Sequence, residues 1–259
     1  MTATFPRMLH REYCNDIAVL RLHHGKAHAI DVELARALRD ATAELRESDR
    51  VRAVVLTGTG SIFCAGVDLF RILDGGPAYV DAYVPQLEDM LYELFQLPRP
   101  VIAAINGHAI AGGCVLAAAC DYRIMASGPA TIGVPELRVG LPFPLVGIEI
   151  LRFATSETHL QELVYRGKTY TVAEAYERGL VDEVVDPDRL LECALEVAAQ
   201  LSAEPSARFR ITKQQLRAPT LERIKRDSAA TQTQVLDAWK DPTSTAAIRS
   251  YVERMRPTP

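Results

Sequence analysis

Two glycine-bearing loops contain the residues of this chain whose types and spacing could do chemistry. The first is FCAGVDL at 63–69, and the second is GHAIAGG at 107–113, which runs into a predicted helix. Small residues at a helix start let a ligand approach backbone N–H groups that have no partner within the helix. If the loops converge, two N–H donors face one developing oxyanion. The same glycines also fit tight turns and close helix packing, so the loops alone leave both interpretations open.

The bulk composition of the 259 residues excludes several classes of protein. The chain is 48% hydrophobic and 24% charged, which is ordinary for a globular protein with a substantial core. Its formal charge of −4, with no stripe of Lys and Arg, argues against a nucleic-acid surface. No apolar run approaches the ~18 residues of a membrane span, and residues 1–11 lack signal-peptide and transit-peptide features. Five cysteines without CxxC spacing predict reduced thiols, so we expect a cytoplasmic protein.

The elements that must position the two loops alternate between strands and helices. Strands are predicted at 16–22, 51–56, 101–105 and 121–125. A helix capped by Asp31 extends to about Glu47, another covers 79–96 after the Gly75-Gly76-Pro77 break, and a small-residue helix follows at 112–119. This alternation predicts an α/β fold. From about Leu201 the pattern changes to charged amphipathic helices, which we interpret as an appendage on the core.

Several segments also match a known pattern in their order and spacing. They are KAHAI at 26–30, AGVDL at 65–69, NGHAIAGGCVLAAACDYRI at 106–124, IGVPELRVGL at 132–141 and GKTYTVAEAYERGLVDEVV at 167–185. Together they resemble the signature segments of the crotonase (enoyl-CoA hydratase/isomerase) superfamily, over about residues 10–255. The resemblance implies a ββα spiral core with a C-terminal helical segment. The first segment departs from the family, which usually carries Asn where this chain has His28.

The resemblance also implies roles for individual residues. The backbone N–H groups of Val67 and Gly112 would polarise the thioester carbonyl of an acyl-CoA and stabilise its enolate. Coenzyme A would be part of the substrate thioester, and no further cofactor and no metal is expected. Lys213 or Phe209 is a further candidate to reach coenzyme A across a subunit interface. The positions where family loops contact the nucleotide, pantetheine or neighbouring backbone are Lys26, Ala27, Ala29, Ala65 and Asp68.

The number of carboxylates distinguishes the possible reactions. The family's hydratases use two glutamates, because hydration must both activate water and deliver a proton to carbon. In this chain Val115 occupies the first of those positions and Glu136 the second. One carboxylate beside an enolate site suits a one-base proton shuttle, the pattern of the Δ3,Δ2-enoyl-CoA isomerases. Pro144 stands where dienoyl isomerases and aromatic dehalogenases place an acid, which disfavours both of those activities.

Three other features bear on the site. Glu149 fits a solvent or salt-bridge role better than that of a second acid, and His108 fits a packing or solvent role better than a contact with coenzyme A. The segment LPFPLV at 141–146 departs from the family's usual continuation. We expect its two prolines and Phe143 to form an apolar wall for the acyl chain.

These observations lead to one leading hypothesis and two alternatives. We expect an acyl-CoA-binding core at 1–200 and a helical segment at 201–259 that covers the site and contributes to a homotrimer or dimer of trimers. The leading function is isomerisation of 3-enoyl-CoA to trans-2-enoyl-CoA by Glu136. An enoyl-CoA hydratase or other acyl-CoA lyase that uses Glu136 alone, and a catalytically silent acyl-CoA-binding protein, are the alternatives.

Overall fold

The fold is built on two β-sheets in a computed structural model that describes residues 8–203 and 206–255. Residues 1–7 of the predicted 1–200 segment, and residues 204–205 and 256–259 of the predicted 201–259 segment, lie outside the described residues. In spatial order the larger sheet contains β1 (Leu9–Cys14), β2 (Ile17–Leu22), β3 (Ala53–Thr57), β5 (Val101–Ile105), β7 (Tyr122–Ala126) and β10 (Glu183–Val185). The smaller sheet contains β4 (Ile62–Cys64), β6 (His108–Ile110), β8 (Thr131–Gly133) and β9 (Thr169–Thr171).

The chain visits the two sheets in turn. It passes from β3 to β4, from β5 to β6 and from β7 to β8, and the successive strands of each sheet pair in parallel. Helix α1 (Val32–Glu47) precedes these turns, while α2 (Leu69–Phe95) and α3 (Gly112–Ala118) follow the first two. Two strands and a helix therefore repeat, which is the ββα spiral that the family resemblance implies. The strand pairs β1 with β2 and β8 with β9 are antiparallel.

The remaining helices lie in the second half of the chain. They are α4 (Glu136–Val139), α5 (Leu145–Ala154), α6 (Glu157–Tyr165), α7 (Val172–Glu177), α8 (Leu190–Ser202), α9 (Ser206–Lys240) and α10 (Pro242–Met255). A 3₁₀ turn at Pro187–Arg189 precedes α8. No helix within 8–203 or 206–255 combines the length and the hydropathy that crossing a bilayer requires.

Local sequence explains the elements that were predicted correctly. Asp31 caps α1 by accepting a 2.8 Å hydrogen bond from the Leu34 amide. Every residue of β5 is buried, as expected for a central parallel strand without polar side chains. Every residue of α3 is buried too, which explains its run of small side chains. Thr171 and Glu174 form a capping box at the start of α7.

The structure corrects the start of α2 and adds short strands. Helix α2 begins at Leu69 because the Asp68 side chain accepts from the Phe70 and Arg71 amides. The Gly-Gly-Pro break predicted before this helix is instead a kink within it, where Gly76 has φ 58°. Six strands were absent from the prediction, namely β1, β4, β6, β8, β9 and β10, and all of these except β1 have only three residues.

The C-terminal helices share one hydrophobic core with the sheets. Ile224, Trp239 and Ile248 are buried in the same cluster as the strand residues. Helix α9 is also held by a buried ionic cluster. Asp121, at the start of β7, accepts from Lys213 Nζ at 2.6 Å and from an Arg217 guanidinium nitrogen at 2.8 Å. Lys213 is therefore engaged inside the chain, which contradicts its expected contact with coenzyme A, and burial lowers its pKa to about 8.

Substituting Asp121→Asn should destabilise the fold strongly, because it leaves two buried cations without their counter-ion. We expect a loss of about 3–5 kcal/mol in the free energy of unfolding, measured by urea denaturation. The matched control is Asp182→Asn, whose carboxylate pairs with Arg123 at 2.7 Å but is partly exposed. That change should cost about 1 kcal/mol. Equal losses in the two variants would contradict the role assigned to the buried cluster.

Candidate active site

One cleft brings most of the predicted site residues together. It has a volume of ≈ 450 Å³ and lies between the two glycine-bearing loops and the C-terminal helices. Its wall includes Ala27, Ala29, Ala65, Val67, Asp68 and Glu136. Gly112 is buried next to the cleft-lining Ala111. Lys26 is exposed and is not part of the wall.

Hydrogen bonds between two loops determine the direction of the Val67 amide. The Ile30 amide donates to Gly66 O at 2.7 Å, and the Asp68 amide donates to Ile30 O at 3.1 Å. Ile30 thus bonds the residues on either side of Val67, in the pattern of a parallel β-bridge. The Val67 N–H consequently points away from Ile30. The Ala65 amide strengthens the same attachment by donating to Ala27 O at 3.0 Å.

The Gly112 amide lies next to that of Val67. Gly112 is the first residue of α3, so its N–H has no acceptor inside the helix. Within the described part of the chain neither amide has any other acceptor. A Cβ atom on Gly112 would lie 3.7 Å from the Val67 nitrogen, and one on Gly66 would lie 2.8 Å from the Gly112 nitrogen. Gly66 therefore permits an approach that a larger residue would prevent, whereas a Cβ on Gly112 would make only ordinary van der Waals contacts.

His28 maintains the loop at 24–30 despite its unusual residue type. Its φ is 50°, in the left-handed region where Asn, Asp and His are enriched among residues other than Gly. The ring is buried, its Nδ1 accepts from the His24 amide at 3.1 Å, and its Nε2 lies 3.0 Å from Thr59 O. His28 thus fits the conformation and links this loop to the end of β3. His28 itself is not part of the wall of the cleft.

Glu136 is a buried carboxylate in the cleft wall. It starts α4, its side chain is 8% exposed, and its Oε2 has no hydrogen-bond partner among the described residues. Burial without a counter-ion raises its pKa to about 8. Gly140 ends this short helix with φ 94°, and a Cβ there would lie 2.6 Å from Ala247 Cβ on α10. Close contact with α10 thus fixes the helix that carries Glu136.

The other candidate acids and bases make structural contacts. Glu149 pairs with Arg152 at 3.1 Å and Arg223 at 2.7 Å, which is the predicted salt-bridge role. His108 Nδ1 lies 3.1 Å from Thr131 Oγ1, as expected for a packing role. Asp68 lines the cleft, but its carboxylate caps α2. Across residues 8–203 and 206–255, no three His, Cys, Asp or Glu side chains are grouped to hold a metal ion.

The structure also changes the predicted acyl wall. Leu141 lines the cleft, but Pro142, Phe143 and Pro144 do not. The C-terminal helices supply Trp239, Tyr251 and Val252 to the wall instead. The family resemblance led us to expect a helical segment at 201–259 over the site, but it did not single out Trp239 or Val252. The contact that brings Trp239 there joins residues far apart in the chain, because its Nε1 donates to Pro142 O at 2.9 Å.

Comparison with known families decides the identity. The family model described as enoyl-CoA hydratase/isomerase matches residues 12–258, which is nearly the whole chain. The chain belongs to this family. The ββα spiral and the C-terminal helices accordingly represent the crotonase fold, and the protein is an enzyme of the crotonase superfamily.

Individual relatives within the family carry different activities in their names. Mitochondrial enoyl-CoA delta isomerase 1 of Homo sapiens is 27% identical over 242 residues, which cover 93% of this chain and 80% of the relative. Carnitinyl-CoA dehydratase of Salmonella arizonae is 36% identical over 186 residues, covering 71% and 70%. The crystal structure of human mitochondrial Δ3-Δ2-enoyl-CoA isomerase superposes with a TM-score of 0.92 at 26% identity, covering 96% of this chain and 98% of that one.

Replacing Gly66 should cost more stability than backbone strain alone explains, because the new side chain would also separate the two loops. Gly66 has φ 82°, and a Cβ there would lie 2.6 Å from Ile110 O. We expect Gly66→Ala to lose about 1–3 kcal/mol of stability beyond the strain of positive φ, as measured by urea denaturation. Gly60→Ala is the matched control, because Gly60 has φ 66° but no atom within 4 Å of its Cβ position. Similar losses in both variants would show that loop contact is not the constraint.

Proposed function

We propose that this crotonase isomerises 3-enoyl-CoA to trans-2-enoyl-CoA with Glu136 as its single acid/base. The supporting observation is a buried carboxylate that has no counter-ion and whose Oε2 has no hydrogen-bond partner among the described residues, in a cleft that also contains two neighbouring backbone amides without acceptors. Family membership supports an enoyl-CoA substrate, in which coenzyme A is part of the thioester. The proposal requires no other cofactor.

The Val67 and Gly112 amides are the proposed oxyanion donors. The thioester oxygen would accept hydrogen bonds from both N–H groups. These bonds strengthen as the carbonyl becomes an enolate, because negative charge develops on the oxygen. The hydrogen bonds of Ile30 to Gly66 and Asp68 hold the Val67 amide in place, and the start of α3 holds the Gly112 amide. Little reorganisation therefore accompanies the reaction. Ala27, Ala29 and Ala65 are proposed to accommodate the pantetheine arm, because their small side chains leave room beside the donors.

Glu136 is the proposed proton shuttle. Its carboxylate removes a proton from C2 of the 3-enoyl thioester, and the electrons move into the dienolate held by the two amides. The C2–C3 double bond then forms as Glu136 returns the proton to C4. A pKa of about 8 suits both halves, because a buried carboxylate is a stronger base than one in water. No water molecule is consumed, so no second acid is needed.

Hydration has less support in this structure. Val115 occupies the position of the first hydratase glutamate and is buried among apolar groups. Glu149 forms ion pairs with two arginines and lies outside the cleft, so it does not supply the second acid that hydration needs. A hydratase or lyase, and a silent binding protein, therefore serve as outcomes of the experiments below rather than as second proposals.

The C-terminal segment at 201–259 is proposed to cover the site and to contribute to a homotrimer or dimer of trimers. Trp239, Tyr251 and Val252 in the cleft wall support the covering role. Exposed Ile211 and Leu216 on α9 are apolar positions that such a subunit contact would cover. A cytoplasmic location stays a prediction, while the human relative is named as mitochondrial.

The substitution Glu136→Gln should abolish isomerisation, because the amide cannot accept the C2 proton. We expect kcat/KM for trans-3-hexenoyl-CoA to fall by about 10²–10⁴-fold, while hydration of crotonyl-CoA is measured in parallel. Glu149→Gln is the matched control, since it changes an equally buried glutamate outside the cleft. Its activity per folded molecule should stay near that of the wild type.

The outcomes of this paired assay separate the candidate functions. Full isomerase activity in Glu136→Gln would overturn the proposed mechanism. Hydration that dominates in the wild type would favour a hydratase, and no turnover of either substrate would favour a binding role.

The pH dependence of kcat/KM should follow ionisation of Glu136. The carboxylate must be ionised to act as a base, and its pKa in the free enzyme is about 8. We therefore expect kcat/KM for trans-3-hexenoyl-CoA to fall about tenfold per pH unit below pH 8 and to level off above it. A flat profile between pH 6 and pH 9 would contradict the role of Glu136.

A further inference from the structure

The wall of the cleft has a small-residue part and a large apolar part. Ala27, Ala29 and Ala65 form the small-residue part, next to Val67. Val139, Leu141 and Trp239 belong to the large apolar part, and each is at most 5% exposed. A thioester held at the Val67 and Gly112 amides has its pantetheine arm over the alanines. Its acyl chain must then extend from Glu136 towards the buried apolar part.

Trp239 is held firmly in that buried part. Its side chain is 2% exposed, and its Nε1 donates to Pro142 O at 2.9 Å. The indole also packs against Tyr83, with ring centroids 6.3 Å apart. Tyr83 is fully buried and stacks in turn on Tyr79 at 5.7 Å. The indole therefore has little freedom to move aside for a longer ligand.

We propose that Trp239 is the stop that limits the length of the acyl chain. This inference rests on acyl-CoA binding in the cleft, but it does not depend on which reaction Glu136 performs. Trp239 determines specificity through its volume, because a chain that reaches the indole cannot displace it without breaking the bond to Pro142. Phe143, which the sequence placed in the wall, has no such role because it lies outside the cleft.

Trp239 is also a built-in reporter, because it is the only tryptophan in the chain. Saturated acyl-CoAs have no double bond to isomerise or hydrate, so their binding can be measured without turnover. Butanoyl-, hexanoyl-, octanoyl-, decanoyl- and dodecanoyl-CoA are titrated into the wild-type protein while tryptophan emission is recorded, and calorimetry gives the affinities. Affinity should rise about fourfold per methylene until the chain meets Trp239. Past that length it should fall by about tenfold per methylene, and emission should change most at the limiting length.

Variants then test the stop directly, with calorimetry as the readout. Trp239→Leu should move the limiting length to longer chains and improve binding of chains beyond the wild-type limit by about tenfold or more. Trp239→Phe removes less volume and should move the limit less, and it keeps the test available if the leucine variant does not fold. Phe143→Leu is the matched control and should leave the limiting length unchanged.

Each result either supports or overturns the stop. An unchanged limit in both Trp239 variants, or a shifted limit in Phe143→Leu, overturns it. Tryptophan emission that is insensitive to every chain length also overturns it. Failure of all acyl-CoAs to bind overturns both the stop and the proposed site. A limit that moves with Trp239, in a protein that does not isomerise 3-enoyl-CoA, supports the stop and contradicts only the proposed reaction.

Discussion

The proposed chemistry depends on keeping the carboxylate of Glu136 buried without a counter-ion. A folded-state pKa of about 8, against 4.5 for an unperturbed glutamate, means that the folded protein binds this proton more tightly than the unfolded chain. The contribution of Glu136 to the free energy of unfolding is therefore fully present at low pH and is lost as the pH rises from about 4.5 to 8. The loss is about 5 kcal/mol at most. The protein tolerates it because the sheets and C-terminal helices share one large core, so reactivity at Glu136 is sustained by packing elsewhere.

The same cleft requires five segments to meet at close range: the Ile30 loop, the loop after β4, the start of α3, and helices α4 and α10. Gly66 allows the loop after β4 to touch the start of α3, and the hydrogen bonds of Ile30 to Gly66 and Asp68 align the Val67 amide. Gly140 allows α10 to approach the helix that carries Glu136. Backbone groups thus supply the proposed oxyanion site, and only one side chain is left to supply proton transfer.

The sequence predicted the features that depend on local pattern. The Asp31 cap, the buried strand β5 and the small-residue helix α3 follow from residue type and spacing, while Glu136 and the two amides came from the family resemblance. Strands β4 and β6 were missed because three residues give too short a pattern to separate a strand from a turn. Lys213 and Trp239 were misjudged or missed because their partners, Asp121 and Pro142, lie about a hundred residues away. Such pairings are set by the packing of α9 and carry no local signal.

Isotope transfer tests the one-base mechanism most directly. The substrate is trans-3-hexenoyl-CoA carrying deuterium at both C2 positions, converted in ordinary water and analysed by NMR and mass spectrometry. If Glu136 carries the same proton from C2 to C4 inside a cleft that excludes water, most of the trans-2-hexenoyl-CoA will contain deuterium at C4 and at C2. Product with only solvent hydrogen added at C4 would contradict this account, because it would require a second proton donor or free exchange of the Glu136 proton with water.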